Sequence, residues 1–469
     1  MLTITTSNKP LSAAPAKYCR LILTEQSADW HRLVETTDDH LEYRLGRGKA
    51  SNITRRTFRT LIRSIVQAAK SHQIEHLAID LTDLTFNTLA PHGRDWLLAT
   101  VVENLHLAHY EFKQYKSKPD KKKRLTSILL CSANEKTDKA VVTHATTLAT
   151  TVNQVRTIAN TTGGEMTPAA LAIATKALTK GTNIKTTVLD VPALKKLQMN
   201  LLLAVGQGAA HAPKLIVMEY KGAGEKQAPT VLIGKGVTFD SGGLNVKPAG
   251  AMHDMHLDMS GGAAVIGAIV AAARLKLKRN VVALIPAAEN AISDRSMRAG
   301  DIITSMSGQT VEILHTDAEG RLILADAYTY AERYKPAQII DVATLTGASL
   351  VALGQHASAI LTKDVTLANT LTELGEATGD YVWPLPLWDE YQQYLKSSRA
   401  DVSNIATSFA KWGGCIEGAT FLSFFAPKKT PWAHIDIAPR MDSIPSDKLA
   451  KGATGEPVRL LVKFLEQTT

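Results

Sequence analysis

At 469 residues the chain is long enough for two or three domains, since an ordinary domain runs to about 150 residues. It is 45% hydrophobic with a mean hydropathy near zero, so it can bury a large core, and its longest apolar run, Ala263 to Ala273, is too short to span a membrane. The net charge of +9 is uneven: residues 1–140 hold 22 Lys and Arg against 15 Asp and Glu, leaving 31 against 29 for the rest.

The N-terminus, Met1 to Lys17, has no basic start followed by an apolar stretch and does not read as a secretory signal. With three widely spaced cysteines (Cys19, Cys131, Cys415) and no CxxC, it fits a cytoplasmic protein; a disulfide scaffold or cysteine-rich zinc module is excluded. Tyr18 to Thr24 reads as a strand, Thr57 to Lys70 as an amphipathic helix, His76 to Leu81 as a strand, Asp95 to Lys116 as a helix and Leu125 to Cys131 as a strand. The basic clusters Arg44 to Arg63 and Lys113 to Arg124 could meet the phosphates of a nucleic acid, but a solvated face or loop is the simpler reading. These residues form a small basic α/β domain over 1–140. Lys139 to Ala159, without Gly or Pro, predicts a linker helix (141–160), broken by Asn160-Thr161-Thr162-Gly163-Gly164. Thr167-Pro168 then caps and opens another helix.

From 161 to 469 strands alternate with helices. Strands are expected at Thr187–Asp190, Leu215–Tyr220, Thr230–Ile233, Val281–Pro286, Thr310–Leu314, Gln338–Ala343, Ala359–Thr362 and Ala433–Ile437. Helices are expected at Ala263–Lys276, Glu319–Tyr334 and Val458–Gln467. The fold class is α/β, with a mixed, largely parallel sheet flanked by helices. Ligands on such sheets gather beyond the carboxyl ends of the strands. There the chain places Gly234-Lys235-Gly236-Val237-Thr238-Phe239-Asp240-Ser241-Gly242-Gly243 as a loop, then Lys247, Asp258 before a helix, and His315 to Leu322 opening another.

A phosphate-loop reading of Gly234-Lys235-Gly236 fails, because Pro229 stands where the first glycine belongs and Gly236 where Ser or Thr belongs. His253 and His256 lack an HExxH frame and read as ordinary helix-face residues. Asp240, Asp258, Asp317 and Glu319 instead suit two divalent cations, which bridging carboxylates hold roughly 3.5–4 Å apart. Any one aspartate could be a helix cap, but capping does not explain the set with its two lysines and arginine.

His315-Thr316-Asp317-Ala318-Glu319-Gly320-Arg321-Leu322 resembles the signature of the leucyl aminopeptidase (cytosol aminopeptidase) family, Asn-Thr-Asp-Ala-Glu-Gly-Arg-Leu, changed only at its first residue. LLAVGQG (202–208), GKGVTFDSGG (234–243), LIPAAEN (284–290), DVATLTGA (341–348), PWAHIDIA (431–438) and KGATGEPVRLL (451–461) extend the likeness from about residue 155 to the end; the first 140 residues resemble it weakly.

The resemblance implies a metalloexopeptidase that removes an N-terminal residue, Leu- or Met-like, from peptides by a metal-bridged hydroxide. It implies two Mn²⁺ or Zn²⁺ ions per subunit and a homohexamer. Lys235, Asp240, Asp258 and Glu319 would hold one metal; Asp240, Asp317 and Glu319 the other. Lys247 and Arg321 would be catalytic, Arg321 by holding a bicarbonate. Met255, Thr344, Leu345 and Gly347 would line the substrate pocket. Alternatives are a cysteinylglycine-type dipeptidase, or DNA binding by the basic domain alongside the peptidase activity.

Three departures stand out. His315 replaces the asparagine, and Asn160 to Gly164 replace an Asn-x-Pro turn. Glu417 stands where relatives carry small residues. If Glu417 points into the pocket, an incoming Lys or Arg side chain would pair it. If it turns away, it salt-bridges a neighbouring surface.

Overall fold

The computed structural model describes residues 2–27, 30–36, 40–118, 123–407 and 412–467. They form two compact units, one of residues up to Asn153 with Ser443–Lys451, the other of Gln154–Asp442 with residues from Gly452 onward.

The first unit is a six-stranded sheet in the order Thr3–Thr6, Ser127–Cys131, His76–Asp80, Cys19–Thr24, Leu41–Gly46, His31–Glu35, parallel except for the last pair. Its helices, Arg55–Ser71 and Gly93–His109, bury Phe58, Ile62, Ile65, Val101 and Leu105 in the core. The second helix stops short of the predicted Lys116. The Lys70 ammonium donates to the Ala108 and His109 carbonyls (2.9 and 3.0 Å), satisfying groups that a longer helix would have paired. The 44–63 basic cluster is not a uniformly solvated face. Arg59 and Arg63 are buried, Arg63 bonding Asn104 at 2.7 Å, and Arg44 pairs with Glu42 at 2.9 Å. Part of the 113–124 cluster lies outside the described residues.

The helix Glu135–Asn160 ends at Asn160, and Thr167 caps the helix Pro168–Leu178 by accepting from the Ala170 N–H (3.2 Å).

The second unit holds a nine-stranded sheet. Its order is Val382–Leu385, Ser358–Leu361, Trp432–Asp436, Gln338–Ala343, Thr230–Gly234, Asn280–Asn290, Lys214–Lys221, Ile184–Leu189, with Gly236–Asp240 also pairing with Asn280–Asn290. The centre is parallel; Ser358–Leu361 against Trp432–Asp436 and the two strands beyond Asn280–Asn290 are antiparallel. The glycine-rich loop expected after residue 233 is thus partly a strand. Asn280–Asn290 is eleven residues long and, on the edge away from Lys214–Lys221, serves two partners, Thr230–Gly234 along its first half and Gly236–Asp240 along its second. Lys235 sits at the joint, its N–H on the Val342 carbonyl and its own carbonyl accepting from Gly262.

Residues 255–274 make a helical stretch apolar and long enough by composition to cross a membrane, but its Ser260–Arg274 helix is buried against the sheet. A side chain at Gly261 would put a Cβ 2.2 Å from the Val342 carbonyl oxygen, so only glycine lets helix and strand meet there. Leucine, isoleucine and alanine side chains of the helices Asn200–Gly206 and Glu319–Ala331 fill the core beside Val231, Ile233 and Leu284. Cys19, Cys131 and Cys415 are buried free thiols.

Candidate functional site

The ends of the central parallel strands and the heads of two helices carry the charged residues. Asp240 ends Gly236–Asp240, and the chain then turns through Gly242 (φ +88°) and Gly243 (φ +66°), conformations that glycine adopts without strain. The Gly242 N–H donates to Asp240 Oδ1 at 2.9 Å, and Asn290, on the neighbouring strand, donates from Nδ2 to the same oxygen at 2.8 Å. Asn290 also donates to the Thr316 carbonyl (3.1 Å), tying the Asp240 turn to the loop that carries Asp317. Asp258 lies in the helical turn Met255–Met259, where Oδ1 accepts from the Thr344 hydroxyl at 2.6 Å. Glu319 opens the helix Glu319–Ala331.

Ligand oxygens of Asp240, Asp317 and Glu319 lie within 4.8 Å of one another. Two lysines stand among them. Lys235 Nζ donates to Asp258 Oδ1 and to the Thr344 carbonyl, both at 2.9 Å, and forms an ion pair with Glu319 Oε1 at the same distance. Gly320 makes that possible, because a Cβ there would fall 2.7 Å from Nζ. Lys247 Nζ is 2.7 Å from Asp240 Oδ2 and 2.6 Å from Asp317 Oδ1. The lysines differ in reach: the Lys235 side chain is 3% exposed and that of Lys247 14%, so only Lys247 can meet an arriving molecule.

The electrostatics are those of a site short of positive charge. Burial, then repulsion from Asp240 and Glu319, pushes the Asp258 carboxyl up to about 8, against the pull of Lys235. Burial and Asp240 push Glu319 up to about 7 and Asp317 up to about 6. Burial alone would depress both lysines, but the surrounding carboxylates outweigh it and hold both ammoniums above their ordinary range. Among the described residues, Asp258 Oδ2 and Glu319 Oε2 are buried without a hydrogen-bond partner. Orphaned buried oxygens beside carboxyls that resist ionising are what hard divalent cations satisfy, so the donor set fits metal binding. His253 and His256 stand apart from the carboxylate cluster.

Beside the cluster, Arg321 is buried, and its guanidinium donates from Nη1 to the Asn404 carbonyl (2.6 Å) and to Glu417 Oε1 (2.8 Å). Glu417 therefore neither waits in the pocket for a basic side chain nor reaches an outer surface; it pairs with a buried arginine. Asn404 also clamps the approach to Asp317, its side chain accepting from the Leu314 and His315 N–H groups and donating to the His315 carbonyl. His315 Nδ1 accepts from the Asp317 N–H at 3.2 Å. Burial, then Lys247 and Arg321, holds its pKa below the usual value, so the ring is neutral at pH 7.

Among the expected pocket residues, Met255 starts the turn that carries Asp258, and the Thr344 hydroxyl is committed to Asp258. Leu345 donates its N–H to Asp436 Oδ1, and Gly347 opens a short helix with nothing within 4 Å of where its Cβ would stand.

Residues 153–462 match the model of the cytosol aminopeptidase family catalytic domain, and residues 43–119 that of its N-terminal domain. The chain belongs to the cytosol aminopeptidase family. It is 41% identical over 424 residues to a probable cytosol aminopeptidase of Burkholderia thailandensis, covering 90% of this chain and 82% of that one. It is 44% identical over 425 residues to one of Aromatoleum aromaticum, covering 89% and 83%. Among solved structures it is similar to the bottromycin maturation enzyme BotP in complex with Mn, at 31% identity and a TM-score of 0.86 over 96% of this chain and 99% of that one. As a member of the cytosol aminopeptidase family, the protein is a peptide hydrolase.

Two residues of this site escaped the sequence reading. Asn290 lies inside the quoted LIPAAEN stretch but had no assigned role, and Asn404 lies in no motif at all. A buried asparagine bonding two strands' loops leaves no local signal.

Proposed function

We propose that the chain is a metal-dependent aminopeptidase that removes apolar N-terminal residues, Leu- or Met-like, from peptides in the cytoplasm. The observation that carries this reading is one cluster of four carboxylates and two lysines in which, among the described residues, Asp258 Oδ2 and Glu319 Oε2 are buried without a hydrogen-bond partner. Lys235, Asp240, Asp258 and Glu319 would hold one cation and Asp240, Asp317 and Glu319 a second, with Mn²⁺ or Zn²⁺ suited to the oxygen-rich set. Bound cations would supply Lewis acidity, an acidified water and an anchor for the free α-amine that an internal peptide bond lacks.

The protein's own groups divide the remaining work. Lys247, the more accessible lysine, keeps a fixed positive charge where a substrate carbonyl oxygen would gain negative charge. Lys235 is buried and held as an ammonium by Asp258, Glu319 and the Thr344 carbonyl, so cation uptake there must displace its proton. Thr344 fixes Asp258, and Asn290 fixes Asp240. The open space over Gly347, beside half-buried Leu345, suits a medium-sized apolar side chain.

Family resemblance supports a homohexamer. DNA binding by the first unit has less support, because Arg59 and Arg63 of its basic cluster are buried. A panel of aminoacyl reporter peptides, assayed with Mn²⁺, Zn²⁺ or chelator, tests the function. Hydrolysis restricted to free N-termini, abolished by chelator and greatest for Leu or Met is expected. Chelator-resistant hydrolysis, or cleavage of N-acetylated peptides at equal rate, would overturn it. Best turnover on cysteinylglycine would favour the dipeptidase.

A further inference from the structure

The residues around Arg321 fit a free bicarbonate poorly. A guanidinium offers one positive charge, and this one already carries a carboxylate at 2.8 Å from its Nη1. A second anion on the same group would sit against that carboxylate. The like-charge repulsion would be strong, because the Arg321 and Glu417 side chains are only 7% and 12% exposed.

The placement of Glu417 is also specific. Arg321 lies two residues beyond Glu319 in the first turn of its helix. Asn404 bonds Arg321 through its carbonyl and the 314–315 backbone through its side chain, so the arginine and the Asp317 loop share one clamp. On the other side Gly418, the residue after Glu417, packs so tightly that a Cβ would lie 3.0 Å from Leu345 and 3.2 Å from Thr346. Thr344, just before them, holds Asp258. Glu417 is therefore bracketed by the two segments that carry the carboxylate cluster. Its Oε1 is oriented by Arg321.

We propose that Glu417 is the protein's built-in replacement for a bound anion, and that its carboxylate is the proton-relay base of the hydrolysis. Glu417 would take a proton from the attacking water as the new C–O bond forms, and return it to the departing amine nitrogen as the C–N bond breaks. Peptide and water become acid and amine, and Glu417 ends as it began. The relay rests on the aminopeptidase reading; the anion replacement does not.

The test uses the full-length, metal-loaded enzyme in carbon dioxide-free buffer, as wild type, Glu417→Ala and Glu417→Gln. Turnover of an N-terminal leucine substrate and retention of ¹⁴C-bicarbonate in closed equilibrium dialysis are measured side by side, with melting temperature and metal content as controls. Wild type should retain no bicarbonate and should not respond to it. Both variants should lose roughly 10²–10⁴-fold in kcat with a smaller change in KM. In Glu417→Ala, which frees space beside Arg321, bicarbonate or formate should bind and restore part of kcat; in Glu417→Gln the amide fills that space and neither should help.

Bicarbonate retained by the wild type would overturn the anion replacement. Full turnover of Glu417→Ala without bicarbonate would overturn the relay. So would a folded, metal-replete Glu417→Ala that no small anion rescues. If the wild type hydrolyses no peptide, the aminopeptidase reading fails while the dialysis still decides whether Glu417 stands in for the anion.

Discussion

Replacing Lys247 with alanine separates the lysine's part in the metal-free fold from its part in turnover. In the metal-free protein its ammonium lies 2.7 Å from Asp240 and 2.6 Å from Asp317 and keeps the two carboxylates from facing each other uncompensated. A buried polar group stripped of its partner costs about 1–3 kcal/mol. The lower half of that range is expected, since the side chain keeps some contact with water and Asp317, already pushed up to about 6, can escape by taking a proton. That amounts to a few degrees of melting temperature for a unit of this size. Divalent cations would replace the lost charge, so the deficit should shrink when metal is added.

Turnover should not recover in the same way. A fixed donor facing developing negative charge is worth on the order of 10²–10³ in kcat, about 2.7–4 kcal/mol. Steady-state hydrolysis of an N-terminal leucine reporter, with metal content determined on the same samples and thermal melts with and without Mn²⁺, reads both effects. Wild-type kcat at full metal occupancy would refute the lysine's catalytic role. A variant that cannot be loaded with metal would show that Lys247 organises the ligands instead.

The raised carboxyl pKa values of Asp317, Glu319 and Asp258 mean that the metal-free fold binds more protons than the unfolded chain between about pH 4 and 8, so its stability falls as pH rises through that window. Cations hold the same groups ionised, so the melting-temperature gain from Mn²⁺ should grow from about pH 5.5 to about 8; a gain that shrinks would contradict the assignment. Asn290→Ala removes the donor on Asp240 Oδ1 and should weaken metal affinity about 10–100-fold in titrations against a competing chelator. Unchanged affinity would show that the turn after Asp240 holds without it. His315→Asn keeps an acceptor for the Asp317 N–H and should leave turnover at pH 7 within experimental scatter of wild type, because the imidazole it replaces is neutral there. A large loss would give His315 a role of its own.

The α/β architecture was legible because buried parallel strands are apolar runs and their covering helices carry their own period; Gln338–Ala343 and Val458–Gln467 occur as read. Strands without that contrast were not. Gly236–Asp240 looks like a loop because its neighbours are glycines and its end is charged, and only pairing with the far half of Asn280–Asn290 makes it a strand. Leu41–Gly46 carries Glu42 and Arg44 and was absorbed into a basic cluster. As a strand beside the sheet's edge it can present them outward while Tyr43 and Leu45 are buried. Helices such as Gly414–Ser423 are short and nearly apolar throughout, so no amphipathic stripe announces them.

The site divides along the same line. Asp317, Glu319 and Arg321 are close in sequence, so a motif could carry them together; Glu417 is 96 positions from its arginine, and nothing local says which way it faces. The sequence left two orientations for that carboxylate, into the pocket or onto a surface, because an unpaired carboxylate is costly in an apolar pocket and cheap in water. Neither weighed a cation already buried nearby. Arg321 is expected to hold an external anion, and Glu417 to meet either an incoming basic side chain or a surface cation. The fold resolves both at once: an arginine that needs an anion and a glutamate that needs a cation meet at 2.8 Å. When a chain carries an unpartnered charge of each sign in one predicted site, the pair itself is the first hypothesis to test, before any ligand is invoked for either.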